Sequence, residues 1–239
     1  MTQTKGTLYG LGMGPGDPKL VTVRAVEILK QVDTVFAASS PKNGYSLALN
    51  TALPYLPEET KVVRLKFPMT KDKEVLEKAW QENALAVLEV LQKGKDAAFI
   101  TIGDCLTYST YGYLIKTIEK NDPGITFESV PGITAYAAAA SRLNLPLVEH
   151  KESLLVVSGV SDPKEIPELA ECGDNLVIMK AYRSFEGIMD ALESLPEKRD
   201  ISLVSNCCLE DERLVPDARE VRGEKMPYLS LLIAKKPEE

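Results

Sequence analysis

The chain has 239 residues, 44% of them hydrophobic and 26% charged, with a formal net charge of −7. That size admits two modest domains or one large α/β domain, and the composition excludes disordered, collagenous and coiled-coil chains. The acidic balance argues against a surface that coats nucleic acid, because phosphate binding needs clustered Lys and Arg; only a local basic pocket stays open.

Short apolar runs alternate with longer amphipathic stretches, the pattern of βα units around a largely parallel sheet, so the expected class is α/β. The first predicted strand, residues 6–12, runs into Gly10-Leu11-Gly12-Met13-Gly14-Pro15-Gly16-Asp17-Pro18. Asp17 is a candidate N-cap with Pro18 at the first helical position, and Leu20, Val21, Ala25, Ile28 and Leu29 would form the apolar stripe of one helix. A dinucleotide fingerprint starting at Gly10 needs glycine or alanine where Pro15 stands, and no Gly-Lys-Ser/Thr follows. Pro15 and Pro18 also remove two N–H donors from any phosphate cradle, and a tight turn without ligand is the plain alternative.

Strands are predicted over 34–38 and 61–66, then a long helix over 73–93. That helix would turn Val75, Leu76, Ala79, Ala86, Leu88 and Leu91 to the core and stop at Gly94. A very apolar strand over 97–102 ends in Gly103-Asp104-Cys105-Leu106-Thr107-Tyr108-Ser109-Thr110. Loops at the carboxyl ends of parallel strands form the ligand crevice, which puts Asp104 there; its alternative is to cap the following helix. A strand over 126–130 leads into Val130-Pro131-Gly132-Ile133-Thr134-Ala135 and a helix over 135–140. Three glycine-bearing turns at the ends of three strands are expected to converge on one edge of the sheet and make a pocket.

The pattern restarts after about residue 143, with strands over 154–157, 176–180, 201–204 and 228–234 between acidic helical segments. The expected domains are therefore 1–143 and 144–239, joined by a short turn around Leu145 and Pro146. His150 is the only histidine, so no triad or multi-histidine metal site can be assembled, and it reads as a surface residue. Cys105, Cys172, Cys207 and Cys208 show no CxxC spacing, so neither a disulfide framework nor a metal site is expected. Cys207-Cys208 read as packing residues, and Glu58-Glu59 and Glu210 to Glu212 as solvated charge. Without a leader pattern or an apolar run of about 18 residues, the expectation is a reduced, cytoplasmic protein with no membrane partner. Its chemistry has to rest on a reactive cofactor.

Taken together, GMGPGDPKLVTVRA, GDCLTYSTYGYL, VPGITAYAAAASRLNLPL and the closing PYLSLLIA resemble the tetrapyrrole (corrin/porphyrin) methyltransferases over nearly the whole chain. Within that family Tyr108-Ser109-Thr110, Pro68-Met69-Thr70 and Val177-Ile178-Met179-Lys180 look most like the branch that methylates C20 of precorrin-2 or cobalt-factor II. The resemblance implies an N-terminal parallel-sheet domain and a C-terminal mixed-sheet α/β domain, with S-adenosylmethionine in the cleft. It also implies a homodimer, a tetrapyrrole substrate and S-adenosylhomocysteine as product. Carried onto this chain, the cofactor would touch Pro15, Gly103, Asp104, Leu106, Tyr108, Ser109, Thr110, Thr134, Ala135, Met179, Asn206 and Cys207. Gly14, Gly16 and Asp17 would border the tetrapyrrole, and Lys180 and Arg183, with Arg24, would give local positive potential for its carboxylates.

An electron-rich ring carbon is expected to attack the sulfonium methyl in line, with the protein chiefly aligning the reactants. The ring carbon must then shed a proton; Asp104 and Tyr108 are the side chains assigned to catalysis, with Asp17 or a water also open. Any cobalt would arrive inside the substrate. Cys105 stands where the family has proline, freeing an N–H and leaving loop rigidity open, and Ala135 stands where serine is common. The alternatives are a sister methylase acting at another ring carbon, a diphthamide-pathway methylase, and a class I methyltransferase built on Gly10, Gly12 and Gly14. From another class comes a non-catalytic module that binds a nucleotide or tetrapyrrole.

Overall fold

A computed structural model describes residues 4–39 and 46–237, so the first three residues of the stretch read for a leader lie outside the described residues. The chain divides into two compact units, Met1–Thr134 and Ala135–Glu239.

The first unit holds β1 (Thr7–Gly12), β2 (Thr34–Ser39), β3 (Lys61–Lys66), β4 (Ala97–Thr101) and β5 (Thr126–Val130), with helices α1 (Val23–Leu29), α2 (Leu47–Ala52), α3 (Lys73–Leu91) and α4 (Tyr111–Asn121). Every described strand pairing is parallel, in the order β3-β2-β4-β1-β5. β4 is buried at every position, as a central strand covered on both faces must be, which is why its sequence is a continuous apolar run. Side chains alternate across the sheet: Leu11, Val35 and Ile100 pack with Ala25, Ile28 and Leu29 of α1. On the other face Leu8, Phe36 and Phe99 pack with Val87, Leu88 and Leu91 of α3 and with Tyr111, Leu114 and Ile118 of α4.

Two helix readings need correction. Asp17 accepts from the Lys19 N–H (2.9 Å) but starts only a 3-10 turn, Pro18–Leu20, after which Val21 is extended and Thr22 caps α1 through the Ala25 N–H. The Tyr55 hydroxyl donates to the Pro18 carbonyl (2.9 Å), using an acceptor that a continuing helix would need. α3 buries Asn83, Ala84, Val87, Leu88 and Leu91, whereas Val75 is exposed. The buried stripe is confined to its second half, where the Asn83 amide donates to the Lys66 carbonyl (2.9 Å) and so anchors the helix to the end of β3.

The second unit holds α5 (Ala135–Leu143), β6 (Leu154–Val157), α6 (Ile166–Glu171), β7 (Asn175–Met179), α7 (Phe185–Glu193), β8 (Asp200–Ser205), β9 (Arg213–Val215) and β10 (Ser230–Lys235). Its sheet runs β6-β7-β10-β8-β9; β6 and β7 are parallel and the other pairings antiparallel, so this sheet is mixed. Phe185, Ile188, Met189 and Leu192 of α7 pack with Ile178, Leu203 and Leu232 in one core. β9 escapes the sequence reading because three residues are too few to show an alternation. Tyr228 and Leu229, read as the start of the last strand, precede it, and the Leu229 carbonyl accepts from the Asn206 N–H (2.9 Å). No helix among the described residues is long and apolar enough to cross a membrane.

Candidate active site

The turns after β1, β4 and β5 meet, and they meet through backbone. The Met13 N–H donates to the Thr101 carbonyl (2.8 Å), and Gly14 and Gly103 exchange both of their bonds, at 3.1 and 2.7 Å. A Cβ on Gly132 would stand 2.2 Å from the Gly103 oxygen and 2.7 Å from the Gly12 Cα, so Gly12 and Gly132 let three turns touch. Gly10, the first glycine of the run, has a different cause: its Cβ would lie 2.0 Å from Cε1 of Tyr111, a fully buried core residue. Gly103 is the opposite case, left-handed at φ +71° with open space where a Cβ would go. A ligand can therefore approach the chain closely there. Pro15 is buried, and the Thr51 hydroxyl donates to the Gly16 carbonyl (3.2 Å), which fixes the loop that ends at Asp17.

Asp104 ties two of these turns together. One carboxylate oxygen accepts from the Leu106 N–H (2.9 Å), the Thr107 N–H (2.9 Å) and the Thr107 hydroxyl (3.0 Å); the other accepts from the Gly132 N–H (3.1 Å). It caps no helix: the next one begins at Tyr111, whose N–H is taken by the Ser109 hydroxyl (3.1 Å), while Thr110 makes no side-chain cap. Partial burial works to raise the Asp104 pKa, yet the N–H groups of Leu106, Gly132 and Thr107 and the Thr107 hydroxyl outweigh it and hold the carboxyl below its ordinary range. Both oxygens are thus committed to the loop, and what this side chain can do is position it.

Cys105 answers the question its replacement of proline raises. Its buried thiol donates to the Val130 carbonyl (3.4 Å), fastening the loop to the end of β5, and burial pushes the thiol up to about 11, so it stays protonated as a donor. Leu106 and Tyr108, by contrast, are mostly exposed, and Tyr108 is left-handed at φ +52°, a conformation that costs a non-glycine residue about 1–2 kcal/mol. Thr134 and Ala135 lie half-buried where the turn after β5 enters α5.

In the second unit β7 ends at Met179 because Lys180 is left-handed at φ +55°. The Lys180 ammonium donates to the Ser158 hydroxyl (3.1 Å). Arg183 donates from Nε to the Tyr182 hydroxyl (2.8 Å) and lies 5.6 Å over the same ring. Among the described residues neither cation has a carboxylate partner. Arg24 is different: it pairs with Glu128 (3.0 Å) and Glu27 (3.7 Å) on the surface. Asn206, at φ +49°, turns the chain out of β8 and donates to Asp211 (2.6 Å), with Cys207 buried beside it.

The sequence reading passed over Thr107 and the Gly132 N–H, the donors that hold Asp104; a threonine three residues after an aspartate is a turn signature that could have found the first. It also set Glu212 in solvated charge. In the structure the Glu212 side chain is only 13% exposed, paired with Arg142 at 2.6 Å and accepting from the Cys208 N–H (2.7 Å).

Residues 7–221 match the family described as tetrapyrrole (corrin/porphyrin) methylases. The cobalt-precorrin-2 C(20)-methyltransferase of Salmonella typhimurium (strain LT2) is 36% identical over 232 residues, covering 97% of each chain. Among solved structures, a cobalt precorrin-4 methyltransferase superposes with a TM-score of 0.74 at 20% identity, over 96% of this chain and 94% of that one. Uroporphyrin-III C-methyltransferase from Thermus thermophilus, complexed with S-adenosyl homocysteine, does so with a TM-score of 0.64 at 21% identity, over 96% and 97%. At those identities the likeness is one of fold.

Proposed function

The chain belongs to the tetrapyrrole (corrin/porphyrin) methylases, and from that membership we propose that it is an S-adenosylmethionine-dependent methyltransferase acting on C20 of precorrin-2 or cobalt-factor II in corrin-ring biosynthesis. The observation that carries this reading is the 36% identity, over 97% of both chains, to an enzyme of that name.

The turns of the first unit fit a cofactor of this kind. Gly103 leaves open space beside its backbone, and the loop that Asp104 and Cys105 hold in place exposes Leu106 and Tyr108. In the first unit the residues assigned to hold S-adenosylmethionine are Gly103, Asp104, Leu106, Tyr108, Ser109 and Thr110, with Pro15 and Thr134. When bound, that group supplies a methyl on a sulfonium centre, to which an electron-rich ring carbon can bond as the carbon–sulfur bond breaks and S-adenosylhomocysteine leaves. The residues of this chain have to orient and shield. Asp104 keeps the 103–107 loop and the Gly132 turn in one arrangement, and orientation of this kind can supply about 7–11 kcal/mol of a barrier. Asp104 is on this reading a positioning residue; Tyr108, exposed on the same loop, is the side chain that can meet the reactants, and its hydroxyl can relay the ring proton to water, giving up its own proton as it accepts that one. Lys180 and Arg183, unspent on any carboxylate among the described residues, bind the substrate's carboxylates, and Gly14, Gly16 and Asp17 border the macrocycle.

Anaerobic incubation with methyl-labelled S-adenosylmethionine and precorrin-2, with and without cobalt, tests the assignment. The expected product is one methyl heavier, with the label at C20 by carbon NMR. Label at another ring carbon makes the protein a sister methylase, and binding of both molecules without transfer makes it a binding module. The same reading takes the enzyme to be a cytoplasmic homodimer; light scattering at twice the chain mass, and recovery in the cytosolic fraction, are expected.

A further inference from the structure

The thiols of Cys207 and Cys208 and the carboxylate of Glu212 are gathered as ligands are. Successive side chains on an extended chain point to opposite faces. Here Asn206 and Cys208 are left-handed, at φ +49° and +61°, and the turn they make brings the two sulfurs to 3.7 Å. Glu212 is steered to the same place: one oxygen accepts from the Cys208 N–H (2.7 Å), and the other from Nε (2.8 Å) and Nη2 (2.6 Å) of Arg142. The two sulfurs and a Glu212 oxygen all lie within 4.8 Å of one another.

We propose that Cys207, Cys208 and Glu212 form a three-ligand site for one thiophilic divalent cation of the zinc class. Two metal–sulfur bonds of about 2.3 Å at a tetrahedral angle span about 3.8 Å, so the observed sulfur separation needs almost no adjustment. The oxygen has to close by at most about 1.3 Å to reach a metal–oxygen bond of about 2.0 Å. Charge also closes. Two thiolates and a carboxylate around a divalent ion leave one negative charge, which the Arg142 guanidinium offsets. Binding releases two thiol protons to solvent and changes no oxidation state; the fourth position is open to water. Thiolate ligands select zinc or cadmium over magnesium or calcium, which require oxygen. The test does not rest on the methyltransferase reading, because each readout below is metal retention rather than turnover.

The test needs no variant at first. The full chain, freed of metal by chelator, is alkylated with and without stoichiometric Zn²⁺ and mapped by mass spectrometry. Zn²⁺ is expected to protect half-buried Cys208, while exposed Cys172 reacts in both cases and buried Cys105 and Cys207 in neither. In a Cys172→Ser background, Cd²⁺ is expected to bind at one equivalent with thiolate-to-metal absorption. Cys208→Ser should cut that band by at least half, and Glu212→Gln should weaken binding while keeping the band. Equal alkylation of Cys208 with and without Zn²⁺, or a cadmium band undiminished by Cys208→Ser, overturns the proposal.

Discussion

The turns of the first unit and those after β7 and β8 in the second face the same task, a sharp exit from a strand, and meet it with different residues. In the first unit the left-handed positions fall to Gly14, Gly16 and Gly103, with Tyr108 the exception. In the second they fall to Lys180, Asn206 and Cys208, which carry an ammonium, an amide and a thiol. A non-glycine residue held there costs about 1–2 kcal/mol, less for asparagine, so the second set of turns keeps chemistry where relaxed backbone would call for glycine. The first set is a frame limited by room. Substitutions at the packed glycines of the first region should therefore act on folding, and those at the second set of turns on binding.

The largest effect belongs to the frame. Gly132→Ala puts a methyl 2.2 Å from the Gly103 oxygen and against the Gly12 backbone, none of which can swing away, so a loss of about 3 kcal/mol or more in urea unfolding is expected. Gly103→Ala is the paired control: nothing stands in the way of its methyl, and only the left-handed φ opposes it. It should unfold within about 2 kcal/mol of the parent but fail to bind S-adenosylhomocysteine by calorimetry. If the two variants unfold alike, the distinction between packing glycine and ligand-facing glycine is lost.

Asp104→Ala comes next. It strips an acceptor from three N–H groups and a hydroxyl, but water reaches this half-exposed site, so about 1–2 kcal/mol of stability should go, together with most cofactor affinity. Asp104→Asn should recover part of both. The folded pKa lies below the ordinary 3.8, so the carboxylate's contribution is fully present above about pH 4 and disappears as pH falls through the lowered value. The parent should accordingly lose stability more steeply than Asp104→Ala on acidification below pH 4; parallel acid limbs would mean that the four bonds are not what holds the loop.

Much of this frame is legible in the sequence, and the limits are physical. Central strands covered on both faces read as apolar runs, so β1, β2 and β4 emerge within a residue of their observed ends. The edge strands β3 and β5, mostly exposed or half-buried, emerge instead from their β-branched and aromatic residues. The convergence of three glycine turns is legible too, because each sits after such a strand. What pattern cannot distinguish is why a glycine is present: Gly10 and Gly12 are two residues apart, yet one makes room for the Tyr111 ring and the other for the backbone of Gly132. Nor does local sequence show long-range partners. Arg24 reads as a free cation until Glu128 is seen beside it, and Glu212 reads as solvent-facing charge until Arg142, 70 residues earlier, is seen to hold it. In the second unit the left-handed Lys180 ends a strand that its own residue type gives no reason to stop.

Smaller effects separate the two regions further. Arg183→Ala removes a guanidinium stacked on Tyr182 and bonded only to its hydroxyl among the described residues, so the unfolding midpoint should hardly move. Tetrapyrrole affinity should fall by about tenfold at low salt, and the deficit should shrink as salt rises, since the lost interaction is between exposed charges. A deficit that does not depend on salt would point to packing on the ring rather than to charge.

The finest test compares two substitutions at Lys180. Alanine and glycine both delete the ammonium and its bond to Ser158, so the difference between them isolates the left-handed backbone. Relieving φ +55° favours glycine by about 1–2 kcal/mol in the folded state, while the freedom that glycine adds to the unfolded chain takes back about 0.5–1 kcal/mol. Lys180→Gly should therefore unfold later than Lys180→Ala by up to about 1.5 kcal/mol, while both bind the tetrapyrrole equally weakly. That pairing of outcomes, a stability gained and an affinity lost at one residue, is what a strained turn kept for its side chain requires. Equal stability of the two variants would place no strain at this turn and would reduce the contrast between the two regions to one of residue type alone.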